Sequence, residues 1–253
     1  MTNDANKERF NKQAENYSKW DVTSNIDYLN KYFEFCDIES EDTILDVACG
    51  SGDFTIFSAP KVKYAHGIDI SDKLIEIAKK NAEALKIENI KLKCSEFETE
   101  CLTNKYSIVV CRMAFHHFID QNKIFKRMYD LCLPNGKIGI QDFVGNENII
   151  VKEFFDKFEK YVDVSHNCSL TKNEFIKMYN DNNMKITKTM ELDREISVSN
   201  YIKHAVQSKE NLEKINELII SGLEHPQISQ YLVSRNDEVY FKRKVFLILG
   251  AFL

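Results

Sequence analysis

The chain is short of the residues that interrupt structure. It has only three Pro and eight Gly among 253 residues, and no segment is rich in Gly and Ser. Neither a flexible linker nor a low-complexity stretch is written into it. It has no excess of basic residues: 34 Lys and Arg stand against 39 Asp and Glu, a formal net charge of −5. That leaves no electrostatic footprint for a nucleic-acid partner. The longest apolar run, residues 245–253, is too short to span a bilayer, so no membrane insertion is expected. The seven Cys contain no Cys-x-x-Cys pair, and residues 1–9 are polar and charged rather than signal-like. An odd count in that setting is the pattern of reduced thiols in the cytoplasm. Cys94, Cys101, Cys111, His116 and His117 are not at the spacing of structural zinc ligands, so no metal is expected.

What is present is a globular composition, 43% hydrophobic and 29% charged, long enough for one large α/β domain with its own core. Phe10, Ala14 and Tyr17, then Ile26, Leu29 and Phe33, fall at helical spacing and predict two helices before the first strand. Strands then alternate with helices: 43–47, 64–70, 89–94, 106–112 and 137–143, separated by helices from Asp53, around Leu74 to Leu85 and around Ile124 to Leu131. That rhythm predicts βαβ units and a parallel sheet. Further on come a helix around Ile150 to Tyr161 and another opened by the capping box Thr171 to Glu174. A sixth strand at 185–192, helices at 200–207 and 209–223, and a last strand at 239–251 complete the pattern. The expected organisation is a single domain, 1–253, with a helical lid (1–40), a ligand-binding core (41–145) and substrate-side helices with the last two strands (146–253).

Residues 44–53, Ile-Leu-Asp-Val-Ala-Cys-Gly-Ser-Gly-Asp, read as strand, tight turn and helix start. Gly50 and Gly52 admit positive φ and let the backbone approach a ligand. Asp53 can cap the next helix. Asp46 at the strand end, with no Lys in the turn, suits a cationic ligand better than a phosphate. A nicotinamide dinucleotide is the alternative, but its fingerprint asks for Gly where this chain has Thr55, and Asp46 would crowd a pyrophosphate. Asp69 ends the second strand about twenty residues on, where a carboxylate can accept both hydroxyls of a ribose. It can instead cap the helix starting at Ser71-Asp72. Ser95 and Glu96 end the third strand, Cys111 and Arg112 the fourth, and Asp142 the fifth. All stand at carboxyl ends of parallel strands, the edge at which such sheets bind ligands.

The turn resembles motif I of class I S-adenosylmethionine-dependent methyltransferases, Asp/Glu-x-Gly/Ala-x-Gly-x-Gly, with Asp46, Ala48, Gly50 and Gly52 at those positions. Residues 111–120, Cys-Arg-Met-Ala-Phe-His-His-Phe-Ile-Asp, are similar to a motif of the type 11, ubiquinone/menaquinone-biosynthesis-type branch. The similarity covers about residues 40–145 and extends more weakly through Asp163-Val-Ser-His166 toward residue 175. Residues 136–142 match the family's strand five, with Pro134-Asn135-Gly136 in place of Pro-Gly-Gly. The resemblance implies a Rossmann-like, seven-stranded, mostly parallel sheet with helices on both faces, an antiparallel last strand and extra helices covering the active site. It implies S-adenosyl-L-methionine as cofactor and S-adenosyl-L-homocysteine as product. Asp46, Ala48, Gly50, Gly52, Asp69, Ile70, Ser95, Glu96, Cys111 and Arg112 would hold it, with Ile70 on the adenine face or in the core, Arg112 near the methionine end, and Cys111 either approaching that end or serving as a small apolar packing residue. The family often has Asp-Ala where Ser95-Glu96 stand.

Methyl transfer is an in-line displacement at an activated carbon, so the protein mainly positions the reactants. A base is needed only when the acceptor carries a proton, and imidazole suits that task. His116, His117 and His166 are the candidates, and each can instead pack or bond backbone. Asp142 can orient a His or cap a turn. Arg112 can hold a substrate carboxylate or pair with an acid. Tyr17 and Trp20 can form an aromatic lid over substrate, although Tyr17 also fits core packing. The reading is a cytoplasmic methyltransferase of a small molecule. The acidic balance and the absence of Asn/Asp-Pro-Pro-Tyr after the fourth strand stand against a nucleic-acid base as acceptor. A methyltransferase of RNA or protein and a non-catalytic S-adenosylmethionine-binding partner protein are the alternatives. The acceptor atom stays open among carbon, oxygen, nitrogen and sulfur.

Overall fold

A computed structural model describes residues 3–18, 24–205 and 207–252. Two helices, α1 (Asn3–Tyr17) and α2 (Ile26–Phe35), precede the sheet. Asn25 caps α2, accepting from the N–H groups of Asp27 and Tyr28, and the helix buries Leu29, Tyr32 and Phe35 at three-residue steps along one face. Five parallel strands follow: β1 (Thr43–Val47), β2 (Tyr64–Asp69), β3 (Ile90–Cys94), β4 (Tyr106–Arg112) and β5 (Cys132–Phe143). Helices α3 (Asp53–Ser58), α4 (Asp72–Ala84) and α5 (Gln121–Leu131) lie between them. After β5 come α6 (Ile149–Val162), α7 (Lys172–Asp181), β6 (Met184–Ser197), α8 (Val198–Tyr201), α9 (Lys209–Glu224), β7 (Leu232–Arg235) and β8 (Glu238–Phe252).

The sheet order is β3-β2-β1-β4-β5-β8-β6. β8 enters antiparallel between β5 and β6. Strand order reverses at β1, which pairs with β2 on one side and β4 on the other. The carboxyl ends flanking that reversal are where an α/β sheet leaves a crevice. Apolar residues alternate across the sheet: Ile44, Ile108 and Val110 join one core layer with Tyr32, Phe54 and Phe158. Leu45, Val47 and Val109 join the other with Phe125, Met128 and Tyr179. β3 forms one open edge, with Lys91 exposed and Lys93 paired to Glu100 at 2.7 Å. β6 forms the other.

Three local departures from the sequence reading have physical causes. The sheet has an eighth strand: β7 pairs with β8 across the two-residue turn Asn236-Asp237, both left-handed (φ 51° and 59°). This is the hairpin turn that Asn and Asp favour, and four residues are too few to show a period. β6 runs to Ser197 because Asp193 and Glu195 stand opposite Lys244 and Lys242, so charge pairing replaces the apolar alternation. The expected helix at 200–207 shortens to α8 and a 3₁₀ turn, Ile202–His204. No described helix is long and apolar enough to cross a membrane.

Gly250 of β8 lies against the ring of Tyr179, whose hydroxyl donates to Ile138 O at 3.1 Å. A Cβ there would stand 2.5 Å from Tyr179 Cδ1. Gly250→Ala is expected to destabilise the fold by about 1–3 kcal/mol through overpacking. A denaturant midpoint equal to that of the wild type would contradict this.

Candidate active site

From β1 the chain turns through residues 48–52 into α3. Ala48, Gly50 and Gly52 have φ of 56°, 56° and 76°, so every second residue of the turn is left-handed. Gly adopts that conformation freely, whereas Ala48 carries about 1 kcal/mol of strain. Gly52 meets a second demand: a Cβ there would stand 2.9 Å from Ala78 Cβ of α4.

Beneath the turn, Asp46 is 1% exposed and accepts a hydrogen bond from Thr55 Oγ1 at 2.6 Å. Thr55, which breaks the dinucleotide fingerprint, is therefore the partner of the motif's own acid. Burial pushes the Asp46 carboxyl up to about 6, against the Thr55 bond and the Arg112 charge that draw it down. Asp69 accepts from Gly50 N (Oδ2, 2.8 Å) and from Ser71 N (Oδ1, 2.8 Å), so it ties the turn to the start of α4. Burial raises Asp69 and Asp53 as well. Ser51 Oγ donates to Asp53 at 2.8 Å. The turn thus holds three carboxyls raised by burial, with Arg112 as the cation that acts on Asp46 and Asp53. A cationic ligand relieves that surplus of acid.

Above the turn lies a cleft that opens to solvent. Ala48, Gly50, Asp69, Ile70, Ser95, Glu96 and Arg112 line it. Asp46, Gly52 and Cys111 do not. Asp46 points at Thr55, Gly52 is filled against α4, and Cys111 is fully buried in the core, where burial holds its thiol well above the ordinary range. Trp20 lies outside the described residues, as does the side chain of Tyr17. Asn6, Phe10, Leu74, Phe97, Glu98 and Phe118, to which the sequence reading gives no ligand role, also line the cleft, as does Asp53, which begins α3 without capping it. Phe97 and Phe118 were within reach of that reading: one directly follows Ser95-Glu96, and the other closes the His-His-Phe run.

The histidines follow β4. Met113 is left-handed (φ 53°) and donates to Gln141 O at 2.7 Å. It leads into a 3₁₀ turn, Phe115–His117. Asp142 Oδ2 accepts from His116 N at 2.9 Å, and its Oδ1 meets His116 Nδ1 at 2.6 Å and Phe143 N at 2.7 Å. Burial alone would raise Asp142, but the His116 charge and these donors hold it below the usual range. Burial likewise lowers His116, and Asp142 overcomes that to raise it. His117 contrasts with its neighbour: burial and then the His116 charge push its imidazole down, so it stays neutral. Its Nδ1 lies 3.0 Å from Ser165 Oγ, and Phe10 meets its ring edge-on at 5.1 Å. His166 Nε2 bonds Asp156 Oδ1 at 2.8 Å, while its buried Nδ1 has no hydrogen-bond partner among the described residues. The His116 ring centroid is 4.1 Å from that of His117 and 5.3 Å from that of His166. Of the three, His117 lines the cleft. His116 and His166 line a smaller polar chamber that shares His117 with it. Among the described residues no group of three His, Cys, Asp or Glu is placed to hold a metal.

The His116–Asp142 pair makes stability depend on pH. His116 has a raised folded pKa, so its contribution is present below the unfolded value and is lost as pH rises through the folded one. Asp142 has a lowered one, so its contribution is present above the unfolded value and is lost as pH falls through the folded one. Asp142→Ala is expected to cost about 3–5 kcal/mol near pH 6. The loss should shrink as pH rises through the folded value of His116, above which its imidazole is neutral folded or unfolded. Thermal melts across that range check it; a loss independent of pH would contradict the ionic pairing.

Residues 38–217 match the family described as a methyltransferase domain. The methyltransferase YcgJ of Bacillus subtilis (strain 168) is 24% identical over 80% of this chain and 79% of its own. Its crystal structure superposes with a TM-score of 0.82 at 20% identity, covering 88% of this chain and 97% of that one. A demethylmenaquinone methyltransferase of Lactobacillus johnsonii is 26% identical over 53% of this chain and 57% of its own. A Streptomyces coelicolor geranyl diphosphate C-methyltransferase, solved with Mg²⁺, geranyl diphosphate and S-adenosyl-L-homocysteine, has a TM-score of 0.61 at 11% identity, covering 90% of this chain and 78% of that one.

Proposed function

This chain belongs to the methyltransferase domain family, and from that premise we propose that it transfers the methyl group of S-adenosylmethionine to a small-molecule acceptor, as a single catalytic unit. The observation that carries this reading is the cleft at the carboxyl ends of β1 to β4: acid-rich at the glycine turn, partly apolar in its walls, bordered by α1, and ending at a neutral imidazole.

The donor set fits the cofactor. Asp69 has spent one lone pair of each oxygen on backbone N–H, which leaves acceptor capacity for two ribose hydroxyls. Ile70, Leu74 and Phe97 offer apolar surface for an adenine. Arg112 and Asp53, which both line the cleft, offer both signs of charge to an amino-acid end. When bound, the cofactor supplies an electrophilic methyl on a sulfonium sulfur. His117 serves as the base for an acceptor that carries a proton. His116 and Asp142 brace its turn, and His166 lies behind it. The names of the Lactobacillus and Streptomyces proteins give small-molecule acceptors, and the acidic balance, a formal charge of −5, stands against RNA.

The test is incubation with methyl-labelled S-adenosylmethionine and a cell extract, followed by fractionation. Label in the low-molecular-mass fraction is expected. Accumulation in RNA or protein would overturn the small-molecule reading.

A further inference from the structure

His117 is held by a relay that leads to a distant helix. Its Nδ1 lies 3.0 Å from Ser165 Oγ. Ser165 Oγ in turn donates to Asp163 Oδ1 at 2.5 Å, and Ser165 N donates to the same oxygen at 2.8 Å. Arg9 of α1 closes the chain: its Nε donates to Asp163 Oδ1 at 2.6 Å and its Nη2 to Val162 O at 2.7 Å. Asp163 and Ser165 are 5% and 4% exposed, so water competes little for these bonds.

The proton count fixes the tautomer. An ionised Asp163 only accepts, so the single Ser165 hydroxyl proton is spent on it. Toward His117, Ser165 Oγ has only lone pairs left. The contact is therefore Nδ1–H donating to Oγ, and a neutral ring with Nδ1 protonated has its bare lone pair at Nε2. The same α1 that carries Arg9 brings Asn6 and Phe10 to the cofactor cleft. Its next residue, Asn11, accepts from Ser71 Oγ at 2.6 Å at the start of α4.

We infer that Ser165, Asp163 and Arg9 are positioning residues that fix His117 in the Nδ1–H tautomer, and that they tie this orientation to the seating of α1 over the cleft. The inference rests on reading His117 as the base. The proton that the acceptor loses as its lone pair bonds the methyl carbon moves to Nε2. The resulting imidazolium keeps Nδ1–H on Ser165, whose own proton stays on Asp163. A base held by a buried hydroxyl and carboxylate follows the logic by which an acid orients a catalytic histidine.

The experiment is nitrogen-15 histidine NMR on the full chain bound to S-adenosylhomocysteine, which needs no acceptor. Wild type is expected to show Nδ1 protonated and Nε2 bare. Ser165→Ala should lose that bias, Ser165→Thr should restore it, and Arg9→Met should shift the same resonances. Affinity for S-adenosylhomocysteine in Ser165→Ala, expected within about twofold of wild type because the serine lies outside the cleft, reports that the variant is folded. Identical His117 resonances in wild type, Ser165→Ala and Arg9→Met would overturn the inference. Methyl transfer is the separate readout. If the tautomer shifts as stated while labelled transfer keeps its full rate in Ser165→Ala, the positioning stands and the base assignment fails. If both stand, that rate falls about 10–100-fold.

Discussion

Asp69→Ala is expected to weaken S-adenosylhomocysteine binding by about 3 kcal/mol, roughly a hundredfold in Kd, in a protein that still folds. The loss has two sources. A carboxylate accepting two hydroxyls from a ligand makes two charge-assisted bonds. Removing it also orphans Gly50 N, whose partner is Asp69 Oδ2, and so loosens the cofactor turn. The fold should survive because the core layers pack on apolar residues of β1 to β5. Asp69→Asn separates the two effects: it keeps an acceptor for one backbone N–H but removes the charge, and an intermediate loss is expected. Calorimetric titration measures both. An Asp69→Ala protein with wild-type affinity would mean that this acid only braces the turn.

His117→Ala is expected to lower the rate of labelled methyl transfer by about 10²–10⁴-fold, the usual yield of a positioned base, with cofactor affinity nearly intact. The neighbouring His116→Ala should behave differently. Its imidazole is bound to Asp142, whose carboxylate would be left buried with one donor fewer, so that variant should lose stability before it loses chemistry. Turnover and melting temperature of the two variants, measured together, separate the roles. Equal turnover loss with equal stability loss in both would place neither histidine as the base. Full turnover in His117→Ala would leave orientation of the reactants as the whole of the catalysis.

Much of this site is legible in the sequence because the chemistry sits at strand ends. Asp69, Ser95, Glu96 and Arg112 are found by counting strands, and the structure brings all four to one cleft. The readings of Asp46 and Cys111 turn on strand parity. Ile44 packs in the layer that contains Phe54, so Asp46, two residues on, faces the same side and finds Thr55 beside Phe54. Cys111 shares the side of Val109, in the other apolar layer, and Arg112 takes the side that is left. Alternation could have predicted the side that Asp46 takes, and for Cys111 it agrees with the packing role that the sequence offers. No local signal could have found the Arg9–Asp163 contact, because 154 residues separate the partners and neither belongs to a periodic pattern. The shared chamber of His116 and His166 is hidden for the same reason: it needs α6 and the 3₁₀ turn at Ile202–His204 folded back over β5.

The two free borders of the sheet bear on how this protein behaves when concentrated. A bare strand invites a copy of itself to add on, and a row of like charges makes that addition costly. β3 carries Lys91 and Lys93 at every second position, and β6 carries Lys185, Lys188, Glu191, Asp193 and Arg194. Stacking a second molecule on either border would crowd these ammonium and carboxylate groups or strip them of water. The molecule is thereby guarded against fibre growth, and the guard on β3 is made of only two side chains.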